Sequence, residues 1–327
     1  MKYPVVLVAV VALLSSSVFA LNVGFDELRI SNGSEPELTA GVWYPTDASM
    51  AVHGLGNFRQ TVALDSPVAG GGLPLVVMSH GGGGWFGSHY DTALALARAG
   101  FVVAAVSHAG DTYDDQSRVL ELWRRPDQLR RLVDYMLAEW PRHGQLDVSR
   151  VGAFGFSNGG FTVLVAAGGN PDLSEIGRYC AAHPSHDLCL ALKEAGADPH
   201  LGNDVPASVW ISDSRIRTAV VVAPAFGFAF DQRRLSDVRV PVQLWRAADD
   251  RHQPQPYYEE VVAASLPRAP EYHVVDNAGH YDFLPPCDAR MLKAVPVVCT
   301  SSPGFDREAF HEQFNAEIVR FFRATLR

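Results

Sequence analysis

The residues with the clearest chemical meaning form the pentapeptide Gly155-Phe156-Ser157-Asn158-Gly159. An apolar run that begins at Val151 leads into it, and an apolar stretch with helical character, 161–167, follows. Glycines on both sides of a serine permit a sharp strand–turn–helix connection that exposes the hydroxyl. Amides at the start of the helix then point toward developing negative charge. The pattern predicts that Ser157 is an acyl-transfer nucleophile; the alternative is a glycine-rich turn with a capping serine.

A serine hydroxyl is a weak nucleophile until a base takes its proton, so a histidine must lie within reach. His280 lies in a short loop that directly follows a predicted strand, 271–275. The other histidines after Ser157 lie in that strand, in the last predicted helix, in an irregular segment or next to the candidate acids. We therefore predict that His280 is the base.

The carboxylate that orients this imidazole is expected beyond the preceding predicted strand, 240–245. Asp249 and Asp250 both lie there. Either could accept the imidazole N–H and hold its tautomer, so the local sequence leaves the choice between them open.

A glycine-rich loop supplies the place for an oxyanion hole. His80-Gly81-Gly82-Gly83-Gly84-Trp85 directly follows the apolar run 73–79. Glycines let the backbone approach a substrate and aim its amides inward. We predict Gly82 and Asn158 as the two N–H donors, with Gly83 as the alternative to Gly82, and we expect His80 to have a structural role.

The segment 108–115 has the composition of a metal loop, but its spacing does not match an EF-hand and Tyr113 interrupts it. We expect it to form the rim of the substrate pocket. The prediction includes neither a metal nor an organic cofactor.

Elements of two kinds must position these residues. Short β-rich apolar runs alternate with helical patterns, which predicts an α/β fold with a mostly parallel central sheet and helices on both faces. The predicted strands are 38–44, 73–79, 101–107, 151–156, 219–223, 240–245 and 271–275, and the clearest predicted helices are 91–98, 126–139 and 307–326. The alternation of strand and helix patterns stops in 168–212, and we interpret this segment as a cap-like insertion over the C-terminal edge of the sheet.

The N-terminus has the features of a signal peptide. Lys2 precedes an unbroken apolar run, 5–14, and small residues precede a cleavage site near Ala20. The run is too short to span a bilayer as a helix, so no stable membrane anchor is expected. The sequence predicts a leader over 1–20 and a hydrolase domain over 21–327, exported to the periplasm or secreted.

Composition and charge narrow the class of partner. Of the 327 residues, 47% are hydrophobic, which excludes a disordered chain, and the net charge is −9. Without a basic excess, binding to nucleic acid through phosphate contacts is not expected. The expected partner is a small-molecule or polymeric ester substrate, and the sequence does not fix the oligomeric state.

The four cysteines suit an oxidising compartment. Cys180 and Cys189 lie close in the sequence, as do Cys287 and Cys299. Four cysteines allow three pairings, and the two local loops are favoured because short loops close most easily.

The chain resembles serine α/β-hydrolases of the predicted dienelactone hydrolase and platelet-activating-factor acetylhydrolase-like group. The resemblance covers most of the mature chain and rests on motifs that include Trp43-Tyr44-Pro45, Ser79-His80-Gly81, Ser107-His108-Ala109-Gly110-Asp111, Arg125-Pro126-Asp127, the pentapeptide at Ser157, Asn277-Ala278-Gly279-His280 and Phe305-Asp306-Arg307. In related hydrolases the triad aspartate commonly lies four residues before a proline, which implies Asp250 through Pro254. Dienelactone hydrolase itself uses a cysteine nucleophile, so the resemblance implies ester hydrolysis and leaves the ester unspecified.

Together these features predict an exported serine hydrolase that cleaves carboxylic esters through an acyl-enzyme on Ser157, His280 and Asp250. The alternatives are a peptidase or lactonase that uses the same triad, and a non-catalytic binding protein with a hydrolase fold.

Overall fold

A mixed sheet forms the centre of the computed structural model, which describes residues 21–56, 58–200 and 202–327. Within those residues the sheet has ten strands in the order β10-β9-β8-β7-β5-β6-β2-β1-β4-β3. The strands are β1 (Asn22–Asn32), β2 (Glu35–Thr46), β3 (Ala51–Leu55), β4 (Phe58–Leu64), β5 (Leu73–Ser79), β6 (Val102–Ser107), β7 (Leu146–Phe156), β8 (Ile216–Val222), β9 (Val242–Ala247) and β10 (Glu271–Val275). The predicted leader, 1–20, lies outside the described residues.

Strand β2 pairs antiparallel with β6 on one side and with β1 on the other. Six neighbouring strands of the sheet, β10-β9-β8-β7-β5-β6, are parallel to one another. Their inner members are almost wholly apolar because both faces of the sheet are covered: all of β6 and nearly all of β5 and β8 are buried. Parallel strands end at the same edge of a sheet. The loops after β5, β7, β9 and β10 therefore meet there, and they carry the residues that the sequence singles out.

Helices cover both faces. The described α-helices are α1 (Tyr90–Arg98), α2 (Arg124–Ala138), α3 (Asn158–Ala166), α4 (Glu175–Ala182), α5 (Asp187–Glu194), α6 (Glu259–Ser265), α7 (Ala289–Ala294), α8 (Pro296–Cys299) and α9 (Arg307–Thr325). One core cluster joins α2 and α3 to one face of the sheet, and a second joins α1 and α9 to the other. The phenylalanine stripe of α9, with Phe314 and Phe322 fully buried, packs in this second core as its spacing indicates.

The parallel strands and the three clearest helices lie where the apolar patterns place them, within a few residues at their ends. The apolar patterns of the sequence do not reveal β1, β3 and β4. In β1 the apolar pattern is interrupted by Asp26, a buried carboxylate that accepts hydrogen bonds from Tyr44 (2.8 Å) and Trp140 (3.2 Å). Such long-range partners make a buried charge tolerable, and local sequence does not reveal them.

The segment 168–212 contains α4 and α5 and, among its described residues, no strand. Its helix α5 faces the edge of the sheet where the strands end, because Asp187 and Leu188 line the same cavity as Ser157. None of the helices in the described part of the chain is both long and apolar enough to cross a membrane.

Candidate active site

Ser157 occupies a tight turn between β7 and α3. Its backbone has φ +55° and ψ −119°, which is unusual for a residue with a side chain. A Cβ atom at Gly155 would lie 2.1 Å from the carbonyl oxygen of Gly159, and one at Gly159 would lie 1.9 Å from that of Ser79. Both positions therefore require glycine, and the turn presents the Ser157 hydroxyl to a cavity.

His280 begins a 3-10 turn, His280–Phe283, shortly after β10. Its Nε2 lies 3.1 Å from Oγ of Ser157, and its Nδ1 lies 2.7 Å from Oδ2 of Asp250. Phe156 packs against one side of the ring at 4.8 Å between centroids. The three side chains thus form a continuous hydrogen-bonded chain from hydroxyl to imidazole to carboxylate.

Asp250, rather than Asp249, meets the imidazole. The Asp250 side chain is fully buried, whereas Asp249 is exposed. Burial opposes ionisation of Asp250, but the adjacent His280 and the N–H of Gln253, 2.9 Å from Oδ1, hold the pKa of the carboxyl below its ordinary value. The buried group is therefore ionised at neutral pH and can fix the Nδ1–H tautomer of the imidazole.

The glycine loop after β5 lies directly against the start of α3. A Cβ atom at Gly82 would lie 2.9 Å from Nδ2 of Asn158, so these two segments are in contact. Asn158 is the first residue of α3, where the N–H has no acceptor within the helix. The N–H of Gly83 is already used, since it donates to Oδ1 of Asp111 at 2.7 Å.

Asp111 is the group that holds this loop. It forms a buried ion pair with Arg125, which also donates to the carbonyl oxygen of His80. His80 in turn accepts from the N–H of His108 at 3.0 Å, and burial lowers the pKa of both imidazoles well below the ordinary value. These histidines are therefore neutral parts of the scaffold.

The cavity beside Ser157 has a volume of about 730 Å³. Rings form one wall, where Phe58 stacks on Trp85 at 6.2 Å and Tyr113 meets the indole edge-on at 6.4 Å. Tyr113, from the segment expected at the rim, is exposed. Aliphatic side chains from the segment 284–298 and from α5 line much of the remainder.

Two disulfides hold segments of this cavity wall. Cys180 pairs with Cys189 and Cys287 pairs with Cys299, which is the pairing that the short loops favour. The first joins α4 to α5, and the second closes the loop that carries α7 and α8. Both stapled segments contribute side chains to the cavity.

Two residues close to Ser157 and His280 carry no signal in the sequence. His252 packs against the ring of His280 at 5.2 Å and lies 2.9 Å from Asp187 of α5. This contact joins the segment 168–212 to the loop after β9 that carries Asp250, which we call the acid loop. Gln253 places its side-chain Nε2 3.4 Å from Oγ of Ser157. Their proximity to Ser157 and His280 depends on how separate loops meet, and no local pattern signals it.

Among the residues that the structure describes, one group of side chains has donors suited to a metal: Glu271, His273 and Glu317, at the β10 edge of the sheet. The same Glu271 oxygen accepts from Gln243, His273 and Arg320. The guanidinium already neutralises this carboxylate, so we assign it a structural role.

No family model matches the chain, and no curated protein matches it. Among solved structures, the ferulic acid esterase from Streptomyces cinnamoneus superposes with a TM-score of 0.60 over 95% of this chain and 91% of that chain, at 17% sequence identity. The chain has the α/β-hydrolase fold. The predicted fold class is thereby confirmed, and at this identity the similarity extends to the fold alone.

Within the α/β-hydrolase fold, the turn at Ser157 and the loops with Asp250 and His280 all lie at the C-terminal edge of the parallel strands. This is the edge at which open α/β sheets bind their ligands. The fold and the local geometry thus point to the same place on the molecule.

Proposed function

We propose that the protein is a serine hydrolase that cleaves carboxylic esters. The observation that carries the proposal is the contact chain Ser157–His280–Asp250, with 3.1 Å and 2.7 Å between the bonded atoms. The motif resemblance described above and the ferulic acid esterase neighbour support ester bonds as the target.

In the proposed reaction, His280 Nε2 takes the hydroxyl proton as Ser157 Oγ bonds to the acyl carbon. The carbonyl π electrons move to the oxygen, and the N–H groups of Gly82 and Asn158 stabilise that oxyanion. Asp250 holds the imidazole and stabilises its protonated form. Collapse of the intermediate expels the alcohol oxygen, which takes the proton from His280 and leaves an acyl-enzyme.

Hydrolysis of the acyl-enzyme reverses these roles. His280 takes a proton from water, the hydroxide oxygen bonds to the acyl carbon, and Ser157 Oγ leaves with the proton returned from His280. The products are the acid and the free enzyme.

A fluorophosphonate probe, which phosphonylates activated serines, tests the proposal. The wild-type protein is expected to be labelled, and Ser157→Ala is expected to remain unlabelled. Ser149→Ala, an exposed serine on the same strand β7, is the matched control and keeps full labelling. Equal labelling of wild type and Ser157→Ala contradicts the proposal, and so does faster cleavage of a matched amide than of the ester.

We further propose that the preferred esters carry an aromatic ring. The indole of Trp85 packs so closely against the backbone of Gly56 and Gly87 that an added Cβ atom at these positions would lie 2.2 or 2.4 Å from it. This close packing fixes the ring in the cavity wall. A rigid aromatic wall favours a planar ring by about 0.5–1.5 kcal/mol beyond simple burial. One similar solved structure is named a ferulic acid esterase, and ferulic acid is an aromatic acid, which agrees with this preference.

Methyl 3-phenylpropanoate and methyl 3-cyclohexylpropanoate test this preference because they share one carbon skeleton. We expect a kcat/KM about two- to tenfold higher for the aryl ester, and loss of that ratio in Trp85→Leu. A ratio of one, or a preference that survives in Trp85→Leu, would contradict the aromatic assignment.

We also propose that the protein is exported. Two disulfides suit an oxidising compartment, and the leader-like 1–20 provides the route. N-terminal sequencing of the exported protein is expected to begin near Leu21; an intact Met1 on reduced cytosolic protein would contradict export.

A further inference from the structure

Gln253 contacts both ends of the triad. Its backbone N–H donates to Oδ1 of Asp250 at 2.9 Å, and its side-chain Nε2 lies 3.4 Å from Oγ of Ser157. The residue is only 3% exposed and lines the cavity. One residue of the acid loop therefore reaches the carboxylate through its main chain and the nucleophile through its side chain.

The hydrogen bonds at the two ends complement one another. Asp250 uses Oδ2 for His280 and Oδ1 for Gln253, so both of its oxygens are engaged. A hydroxyl can donate one hydrogen bond and accept two. With its proton directed to His280, Oγ of Ser157 has lone pairs free to accept from the Gln253 amide.

Within the described part of the chain, Ser157 is the one hydrogen-bond partner of the Gln253 side chain. Its Oε1 is buried without a hydrogen-bond partner, and Ser157 Oγ is the partner of its Nε2. A buried acceptor left without a partner costs about 1–3 kcal/mol. A glutamine with an unpaired buried oxygen lowers stability, so its presence here calls for a functional explanation.

We propose that Gln253 is a further catalytic residue, which donates a hydrogen bond to Ser157 Oγ; this rests on the proposed function. The amide fixes the direction of the hydroxyl and stabilises the negative charge that Oγ gains as His280 removes its proton. The same donor assists hydrolysis of the acyl-enzyme, where Oγ is the leaving atom. Contacts of this kind are commonly long in a ligand-free site and tighten during reaction.

Two variants separate this role from a structural one. Gln253→Met keeps the length of the side chain but removes the donor, and Gln253→Glu keeps the shape but presents a carboxylate. Both keep the backbone N–H that holds Asp250. Gln145→Met, an exposed glutamine at the opposite end of β7, is the control.

For Gln253→Met we expect kcat and the rate of fluorophosphonate labelling to fall about tenfold, with KM within twofold and no loss of melting temperature. For Gln253→Glu we expect the labelling rate, taken as a fraction of the wild-type rate at the same pH, to fall as pH rises, because a protonated carboxyl can donate a hydrogen bond to Oγ of Ser157 and a carboxylate cannot. Gln145→Met is expected to match wild type in all these measurements.

The proposal is overturned if Gln253→Met is labelled as fast as wild type, or if Gln253→Glu is labelled as fast as wild type at every pH. Should Gln253→Met fail to fold, the Gln253→Glu profile decides alone. These outcomes are distinct from failure of the proposed function, in which Ser157→Ala itself would still be labelled.

Discussion

Arg307 connects the last helix to the turn that carries His280. Its Nε and Nη2 donate to Oδ1 of Asp282 at 3.0 and 2.8 Å, and its Nη1 donates to the carbonyl oxygen of Val298 at 3.0 Å. The other oxygen of Asp282 accepts from the N–H of Gly279 at 2.7 Å, one residue before His280. The guanidinium therefore supports the position of the imidazole through Asp282.

The structure gives the expected cost of losing this support. The side chains of Arg307 and Asp282 are 7% and 3% exposed, so Arg307→Met leaves a buried carboxylate without its counter-charge. Breaking a buried pair in this way lowers the free energy of unfolding by about 3–5 kcal/mol. At about 2–4 °C per kcal/mol, the melting temperature falls by roughly 6–20 °C. We also expect lower activity below that temperature, because the His280 turn loses its anchor.

Urea unfolding followed by tryptophan fluorescence measures the effect. Arg178→Met is the matched control, since Arg178 is 72% exposed in its pair with Glu175 and such a pair contributes less than about 1 kcal/mol. The double variant Asp282→Asn with Arg307→Met is expected to recover part of the loss, because no charge remains buried. A loss of unfolding free energy for Arg307→Met no larger than that of Arg178→Met would show that the buried pair of Arg307 and Asp282 does not stabilise the fold.

Three further predictions follow from the turn, the disulfide and a buried acid. Gly159→Ala places a Cβ atom 1.9 Å from a backbone oxygen of β5, so it should lower the free energy of unfolding by at least about 3 kcal/mol and abolish fluorophosphonate labelling. In the control Gly144→Ala the added Cβ atom meets no atom within 4 Å, and similar stability of the two variants would contradict the prediction. Replacing Cys287 and Cys299 by serine should raise KM several-fold with little change in kcat, and lower stability by about 3 kcal/mol; an unchanged KM would show that the loop does not shape the cavity. Burial raises the pKa of Glu259 well above its ordinary 4.5, so the folded protein keeps a proton that the unfolded chain loses and its stability falls as pH rises above that value. Glu259→Gln should therefore gain stability over wild type between pH 5 and pH 8, and equal pH slopes in urea unfolding would argue against a neutral buried carboxyl.

The sequence predicted those parts of the molecule in which chemistry and local pattern coincide. The turn at Ser157 needs glycines at fixed spacing, and His280 lies in a short loop after a strand, so both positions could be predicted without coordinates. Asp249 and Asp250 have equivalent local contexts, and the resemblance to known hydrolases was needed to favour Asp250. In the structure, the two differ by burial and by the contact with the imidazole.

The features that the sequence did not reveal all depend on contacts between distant segments. Strand β1 was missed because Asp26 interrupts its apolar pattern. The partners that allow burial of this carboxylate are Tyr44, Trp140 and the guanidinium of Arg142. Gln253 is an ordinary polar loop residue until the acid loop and the turn at Ser157 meet. Arg307 supports the His280 turn through Asp282, which lies 25 positions away in the sequence.

In the proposed reaction, Ser157 forms a covalent acyl intermediate. Acid quenching of the enzyme during turnover of a p-nitrophenyl ester, followed by peptide mass spectrometry, tests it directly. The peptide containing Ser157 is expected to gain the mass of the acyl group, and this gain is expected to be absent in Ser157→Ala. Steady turnover with Ser157 unmodified, or an acyl group on a different residue, would contradict it.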